Sequence, residues 1–276
     1  MARARLAARS AIERKQVEIV GAMQTRASGS DLVHALPFVT TLPHRAVDAP
    51  WIERTAFDGT ICQWQQRAAN PETKLPAGPR ARVLYIHLIS EALRGEDRIR
   101  SDLVSMYKWS HSLTKCSSGG RTYADVRQLL AHVAAVDLRL ITPPGCSRGG
   151  VEHVLEWPLE VRPDDPVWDR VRGEFRNRFG TLTIPLRRSA VLALSRNGLA
   201  LDFYVWLAST LPAIHAPALV PWEHTWAWFG SSYRRLGHWK SSARLPLAMA
   251  LAAYPQARLT LGDDGILLHP SAATIT

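Results

Sequence analysis

Residues 199–240, LALDFYVWLASTLPAIHAPALVPWEHTWAWFGSSYRRLGHWK, constrain the fold more than any other stretch. They hold five of the chain's ten tryptophans: Trp206, Trp222, Trp226, Trp228 and Trp239. That much indole surface has to be buried, and a buried indole N–H needs a partner. A membrane span is one way to bury it, but Asp202, Pro212, His215, Pro217 and Glu223 interrupt the segment. The chain contains no apolar run of the roughly 18 residues that a spanning helix requires. A ligand cage is the weaker alternative, because no convergent polar set accompanies the rings. The stretch is therefore read as the core of a small helical domain, with some ring edges at its surface.

The punctuation of the sequence agrees. LALDFYVWLASTL reads as an apolar helix that stops before Pro212. VPWEHTWAWFG reads as a short helix, with Pro221 or Trp222 near its start and Gly230 past its end. SSYRRLGHWKSSARLPLAMALAAYP reads as a third helix, in which Pro246 either interrupts the run or opens a new helix. ARLTLG and GILLHP are predicted strands around the hairpin turn Asp263-Asp264-Gly265.

The same order occurs earlier in the chain. VLYIHLISEALRG is an apolar helix ended by Gly95, and Ser101 caps a second helix running to about Leu113. After the loop TKCSSGGR, TYADVRQLLAHVAAVD is a third helix, with Thr122 and Asp125 as a variant capping box. LRLITPPG and VEHVLEWPLEV follow as two strands flanking residues 143–150. The expected fold class is α+β and predominantly helical, with tandem winged-helix domains, each a helix-turn-helix with a β-hairpin wing. Residues 1–79 form a basic N-terminal arm and an irregular leading segment, with short strands at 51–57 and 60–64 around Asp58-Gly59. Residues 80–161 form the first winged-helix domain, 162–198 a basic connector and 199–276 the second domain.

Charge narrows the class of partner. The net charge is +10 and the pI about 10.1, the footprint of a polyanion binder. GC-rich codon usage also produces such an arginine bias, since only Lys15, Lys74, Lys108, Lys115 and Lys240 are lysines. Basic residues concentrate in 1–27, which reads as an amphipathic arm or a solvated tail, and in 162–198. The N-terminus lacks the uninterrupted apolar region of a secretory signal. Cys62, Cys116 and Cys146 lie far apart, with no CxxC, which points to free thiols in a reducing cytoplasm. A zinc site from Cys116, Cys146 and His132 is disfavoured, and no cofactor is expected.

Two catalytic motifs are absent from the sequence. There is no His-x-His and no GxxxxGK[ST]. Asp164-Asp165 and Asp263-Asp264 are paired carboxylates in turn contexts, where adjacent acids are ordinarily solvated. Binding without catalysis is the expectation.

Candidate DNA-binding residues fall in two groups. In the helix after SSGGR, Val126, Leu129, Leu130 and Val133 share one face, and Ala124, Arg127, Gln128, Ala131 and Ala135 share the opposite one. A slim face carrying an Arg and a Gln suits the major groove, where both reach base edges. An ordinary amphipathic helix with an Ala-rich outer face is the alternative. Arg121, Thr122 and Tyr123 precede this helix, and Arg148 falls at the predicted wing tip. In the second half the group is Arg234, Arg235, Lys240, Ser241 and Arg244.

Residues 199–269 resemble the C-terminal part of plasmid-encoded replication initiators of the RepA type. LALDFYVWLASTL, VPWEHTWAWFG, and AMALAAYPQARLTL followed by GILLHP carry the resemblance. The loop SSGGR at 117–121 and the helix after it look like that family's first winged helix, so the similarity covers roughly residues 80–270. The resemblance implies binding to repeated sites in plasmid origin double-stranded DNA, origin opening and recruitment of host replication proteins. It implies no membrane and no catalysis, and a homodimer is compatible with it. The chain departs from the family where LPLAMALAA is nearly uncharged, which confines DNA contacts in the last helix to its N-terminal part. The alternative is a winged-helix transcriptional repressor or partition protein acting at an inverted repeat.

Overall fold

The computed structural model describes residues 2–24, 32–66, 74–94, 98–100, 125, 128–133, 135–141, 152–156, 167–169 and 182–275. Helices and small antiparallel sheets make up two compact units. One contains residues 1–33 and 184–276, and the other residues 34–183. The chain therefore starts in one unit, completes the other, and returns.

Helix α1 (Ala2–Gln24) opens the first unit. Ile12, Gln16, Ile19 and Met23 repeat at helical spacing and form its inward stripe, with Ile19 buried. Strand β1 (Leu32–Ala35) follows, and the chain passes to the second unit within it.

In that unit a 3-10 turn (Pro37–Thr41) leads to a hairpin of β2 (Trp51–Thr55) and β3 (Ile61–Gln66). Its turn has Gly59 at φ 85°, the left-handed conformation that glycine adopts without strain. Helix α2 (Gly78–Arg94) then supplies a buried face. Short strands β4 (Arg98–Arg100) and β7 (Val167–Asp169) pair with each other. Strands β5 (Val136–Ile141) and β6 (Glu152–Glu156) join the earlier hairpin in a four-stranded antiparallel sheet, order β2-β3-β5-β6. The leading segment thus contributes two strands to the sheet of the first predicted module.

The core of this unit is a ring cluster. Phe38, Trp64 and Tyr85 meet edge to face, with centroids 5.6–5.8 Å apart. Trp64 Nε1 donates to Thr41 Oγ1 at 2.9 Å. Arg82 is fully buried and donates to the carbonyls of Leu42 (2.7 Å), Pro43 (3.3 Å) and Gly78 (3.1 Å). It thereby ties the segment entering α2 to the 3-10 turn.

The chain returns to the first unit through β8 (Ile184–Arg187) and α3 (Arg188–Leu194). Ile184 and Leu186 of β8 and most of α3 are buried, so this end of the predicted connector is part of a folded unit. Helix α4 (Gly198–Thr210) is apolar nearly all round and buried from Gly198 to Ala208, as a central core helix must be. Asn197 caps it, accepting from Ala200 N–H at 3.0 Å. A short strand β9 (Ala218–Pro221), helix α5 (Trp222–Phe229), helix α6 (Leu236–Ala253) and strands β10 (Arg258–Leu261) and β11 (Gly265–His269) complete the chain. The three strands form an antiparallel sheet, order β10-β11-β9.

Helix α6 runs unbroken through Pro246, which settles the ambiguity in the sequence. Proline in a helix interior removes an N–H and costs about 3 kcal/mol in isolation. Here Pro246, Leu247, Met249, Ala250 and Ala253 are buried, and packing offsets that loss. The C-terminal half of α6 lies against α4 and α1, and Gln16 Nε2 donates to Ala248 O at 3.4 Å. This burial is the physical reason that LPLAMALAA carries no charge. The C-terminal segment is fixed by Tyr254 Oη to Ala272 O (2.5 Å) and Arg187 Nε to Thr274 O (2.6 Å).

Candidate nucleic-acid interface

Helices α5 and α6 are held at their corner by tryptophan. Trp226 Nε1 donates to Tyr233 O at 3.0 Å, across the turn between the two helices. Trp239 Nε1 donates to Thr225 Oγ1 at 3.0 Å, and Thr225 Oγ1 in turn donates to Trp222 O at 2.9 Å. Tyr233 packs edge to face on Trp239, with centroids 5.5 Å apart. Trp206, Trp222 and Trp239 are almost wholly buried, whereas Trp226 and Trp228 keep partial exposure. Gly230 makes the corner possible: a Cβ there would lie 2.3 Å from Trp226 Cδ1 and 2.8 Å from Trp226 O.

This frame turns the N-terminal half of α6 towards solvent. Trp239 and Ala243 are buried beneath it, while Gly237, His238, Ser241, Ser242 and Arg244 are exposed. Glycine and serines keep that face slim enough for a groove. Arg234 and Arg235 are exposed in the turn just before the helix. The helix start has no side-chain cap and no acid in its first turn, so no side chain of that turn offsets its positive dipole end. Residues 231–245 contain Arg234, Arg235, Lys240 and Arg244 and no Asp or Glu. Guanidinium groups beside an uncapped helix start suit phosphate oxygens.

Lys240 has a more restricted position than the arginines. Its Nζ donates to Asp263 O at 2.7 Å, linking α6 to the turn between β10 and β11. Ser241 Oγ donates back to Gly237 O at 3.0 Å and keeps its acceptor capacity. The structure thus places Arg234 and Arg235 just before α6 and Lys240, Ser241 and Arg244 in its N-terminal half. It adds His238 and Ser242, which the sequence reading missed. Their spacing from Ser241 and Arg235 marks them once the helix start is fixed at Leu236.

The first predicted group is described in part. Helical residues 128–133 place Leu130 and Val133 inwards and Gln128 and Ala131 outwards, in agreement with the predicted faces. The Asp125 carboxylate pairs with Arg80 Nη1 at 2.6 Å. His132 lies one turn from Gln128; burial, and then the nearby Lys74 charge, hold its pKa below the usual 6.5. Arg121, Thr122, Tyr123, Arg127 and Arg148 lie outside the described residues, as do Cys116, Cys146, Asp164 and Asp165.

Among the described residues no cluster of His, Cys, Asp and Glu fits a metal ion. Cys62 is buried in the sheet of the second unit, and burial pushes its thiol up to about 12. It is therefore no nucleophile near neutrality. No described helix is long and apolar enough to cross a membrane. Comparison of the chain with protein-family models, with characterised proteins and with solved structures yields no match.

Proposed function

We propose that the chain binds duplex DNA through its C-terminal unit, with the N-terminal half of α6 entering the major groove. The observation that carries this reading is the acid-free, solvent-facing start of α6, with Arg234, Arg235 and Arg244 beside it. The surrounding order of elements supports a winged-helix assignment. α4 is followed by β9, α5, α6 and the β10–β11 hairpin, and β9 pairs with β11 to close a three-stranded sheet. In the other unit, α2, the helical residues 128–133 and the β5–β6 hairpin follow a comparable order, which supports a second module of the same kind.

The biological role we assign is initiation of plasmid replication. The chain would bind repeated origin sites, promote opening and present the site to host replication proteins. The support is the run of motifs LALDFYVWLASTL, VPWEHTWAWFG and GILLHP, which fall on α4, α5 and β11 of the proposed DNA-binding unit. Two measurements test the two levels of this proposal. Titration of duplex DNA against salt should give a log–log slope on the order of −5 or steeper, because each neutralised phosphate releases counterions. A slope near zero removes DNA binding. Footprinting on DNA flanking the gene should protect directly repeated sites beside an AT-rich tract. Protection of one inverted repeat over the promoter would replace the initiator with a repressor.

A further inference from the structure

Past the C-terminal end of α6, the C-terminal unit has an open cleft of about 510 Å³. Three stretches far apart in sequence form its walls: Pro212 and Ile214 after α4, Pro255 to Arg258 after α6, and Pro270 to Ala272 after β11. These stretches are fastened to one another. Ser271 N–H donates to Leu211 O at 3.4 Å, and Arg258 N–H donates to Ser271 Oγ at 3.0 Å. Tyr254 Oη donates to Ala272 O at 2.5 Å. The cleft is therefore formed before any ligand arrives, as small binding sites ordinarily are.

Its chemistry is apolar with one positive charge. Three proline rings and Ile214 supply the apolar walls, and proline brings no backbone N–H. Gln256 and Arg258 are exposed, and Arg258 is the only charged side chain among the lining residues. Residues 203–222, 243–262 and 265–276, which contain every lining residue, hold no Asp or Glu. The helix-end carbonyls that border the cleft are used internally. Thr210 O accepts from the N–H groups of Ala213 and Ile214, Leu211 O from Ser271 and Leu251 O from Tyr254. The charge left to meet a ligand is the Arg258 guanidinium, whose planar fork matches a carboxylate. A sugar-phosphate backbone is charged at every step and has no use for the apolar walls.

We propose that this cleft docks an acidic peptide segment of a partner protein, with Arg258 holding a carboxylate and the proline rings taking a neighbouring aliphatic or proline side chain. The 18 residues of α6 span about 27 Å, so the peptide sits at the opposite end of that helix from the start assigned to DNA. The proposal goes beyond the DNA-binding reading and does not depend on it. Its test uses the full chain and two pools of fluorescently labelled hexapeptides. One pool combines Pro, Leu, Ile and Val with Asp and Glu, and the control pool has Asn and Gln in place of the acids. Polarisation titrations at low salt should show binding by the acidic pool and much weaker binding by the control. The tightest acidic peptide should lose roughly threefold to tenfold in affinity on R258Q, which removes the guanidinium. It should lose a similar factor on Q256E, which sets a like charge beside the carboxylate. R258Q keeps the backbone bond to Ser271, and a thermal melt shows that each variant is folded; should one melt early, the other carries the comparison. R234Q/R235Q should leave peptide affinity unchanged. Equal binding of the two pools, no binding by either, or unchanged affinity on R258Q and Q256E would overturn the proposal. A loss on R234Q/R235Q in place of R258Q would also overturn it, since the peptide would then be drawn to the start of α6. So would a duplex-DNA salt slope that flattens by about 1 on R258Q with peptide affinity unmoved, because Arg258 would then be a phosphate contact. Failure of the wild type to bind duplex DNA removes the DNA reading and leaves the peptide result standing.

Discussion

At the scale of single residues, the tryptophans of the C-terminal unit act as joints as well as filling. Trp222, Trp226 and Trp239 each spend the indole N–H on a different corner: the β10–β11 turn, the turn before α6, and α5. Trp239→Phe keeps most of the ring volume and removes one such bond. We expect a loss of roughly 1–2 kcal/mol in urea unfolding with an unchanged m-value; no measurable loss would show the bond to be spare. Gly265 is stricter, because its backbone passes too close to β9 for a Cβ. Gly265→Ala should cost on the order of 3 kcal/mol, and an unshifted urea midpoint would show that β9 yields instead. His132 offers a pH test in the other unit. Its folded pKa is depressed, so as the pH falls through about 6.5 the unfolded chain takes up the proton first. The unfolded state then binds more protons, and stability present above that pH is lost on acidification. His132→Gln should flatten that dependence, and an unchanged profile would assign it to other groups.

At the scale of elements, α6 is two half-helices with different tasks, and each half left a different trace in the sequence. The order of α4, α5, α6 and the hairpin was legible from apolar runs punctuated by Pro212, Gly230 and Asp263-Asp264-Gly265. The start of α6 was not, because Gly237 and Pro246 are both poor helix formers and the packing that overrides them lies far away in sequence. Trp239, Ala243, Leu247 and Ala250 form the buried stripe that overrides them. Strand β9 was hidden between Pro217 and Pro221, as befits an edge strand that pairs on one side only. The basic group at 234–244 was readable from charge, whereas the bond from Lys240 to the β10–β11 turn needed three-dimensional placement. That bond separates the roles of two cations. Arg244→Met should flatten the salt slope by about 1 and leave the thermal midpoint unmoved, as a phosphate contact would. Lys240→Met should lower the midpoint because it frees the β10–β11 turn. The reverse pattern in salt titrations and melts would exchange the two assignments.

At the scale of the whole molecule, the chain closes one unit with both of its ends. Residues 1–33 group with 184–276, and α1 packs on α3 and on the apolar half of α6. The basic arm expected from the sequence is therefore also a structural element, at least where Ile12, Gln16, Ile19 and Met23 face inwards. Charge concealed this, because Arg3, Arg5, Arg9, Arg14 and Lys15 dominate the composition of a helix whose inward stripe is sparse. A consequence follows for dissection of the protein. A fragment of residues 160–276 keeps the proposed recognition helix but exposes the faces of α3 and α6 that α1 covers. Burial of a few aliphatic side chains contributes roughly 1.5–3 kcal/mol each, so the loss is a large part of an ordinary domain's stability. We expect the fragment to melt well below the full chain and to bind DNA weakly for that reason alone. A peptide of residues 1–27, added in trans, should raise both the midpoint and the affinity, because ligand binding to the folded form shifts the folding equilibrium. On the proposed two-module reading, full recovery of affinity should need the other unit as well, since two linked modules bind one duplex far more tightly than either does separately. Titrating the fragment with and without the peptide, beside the full chain, separates the two effects. A fragment that melts and binds like the full chain would make α1 a dispensable arm and leave the linked-module model without support.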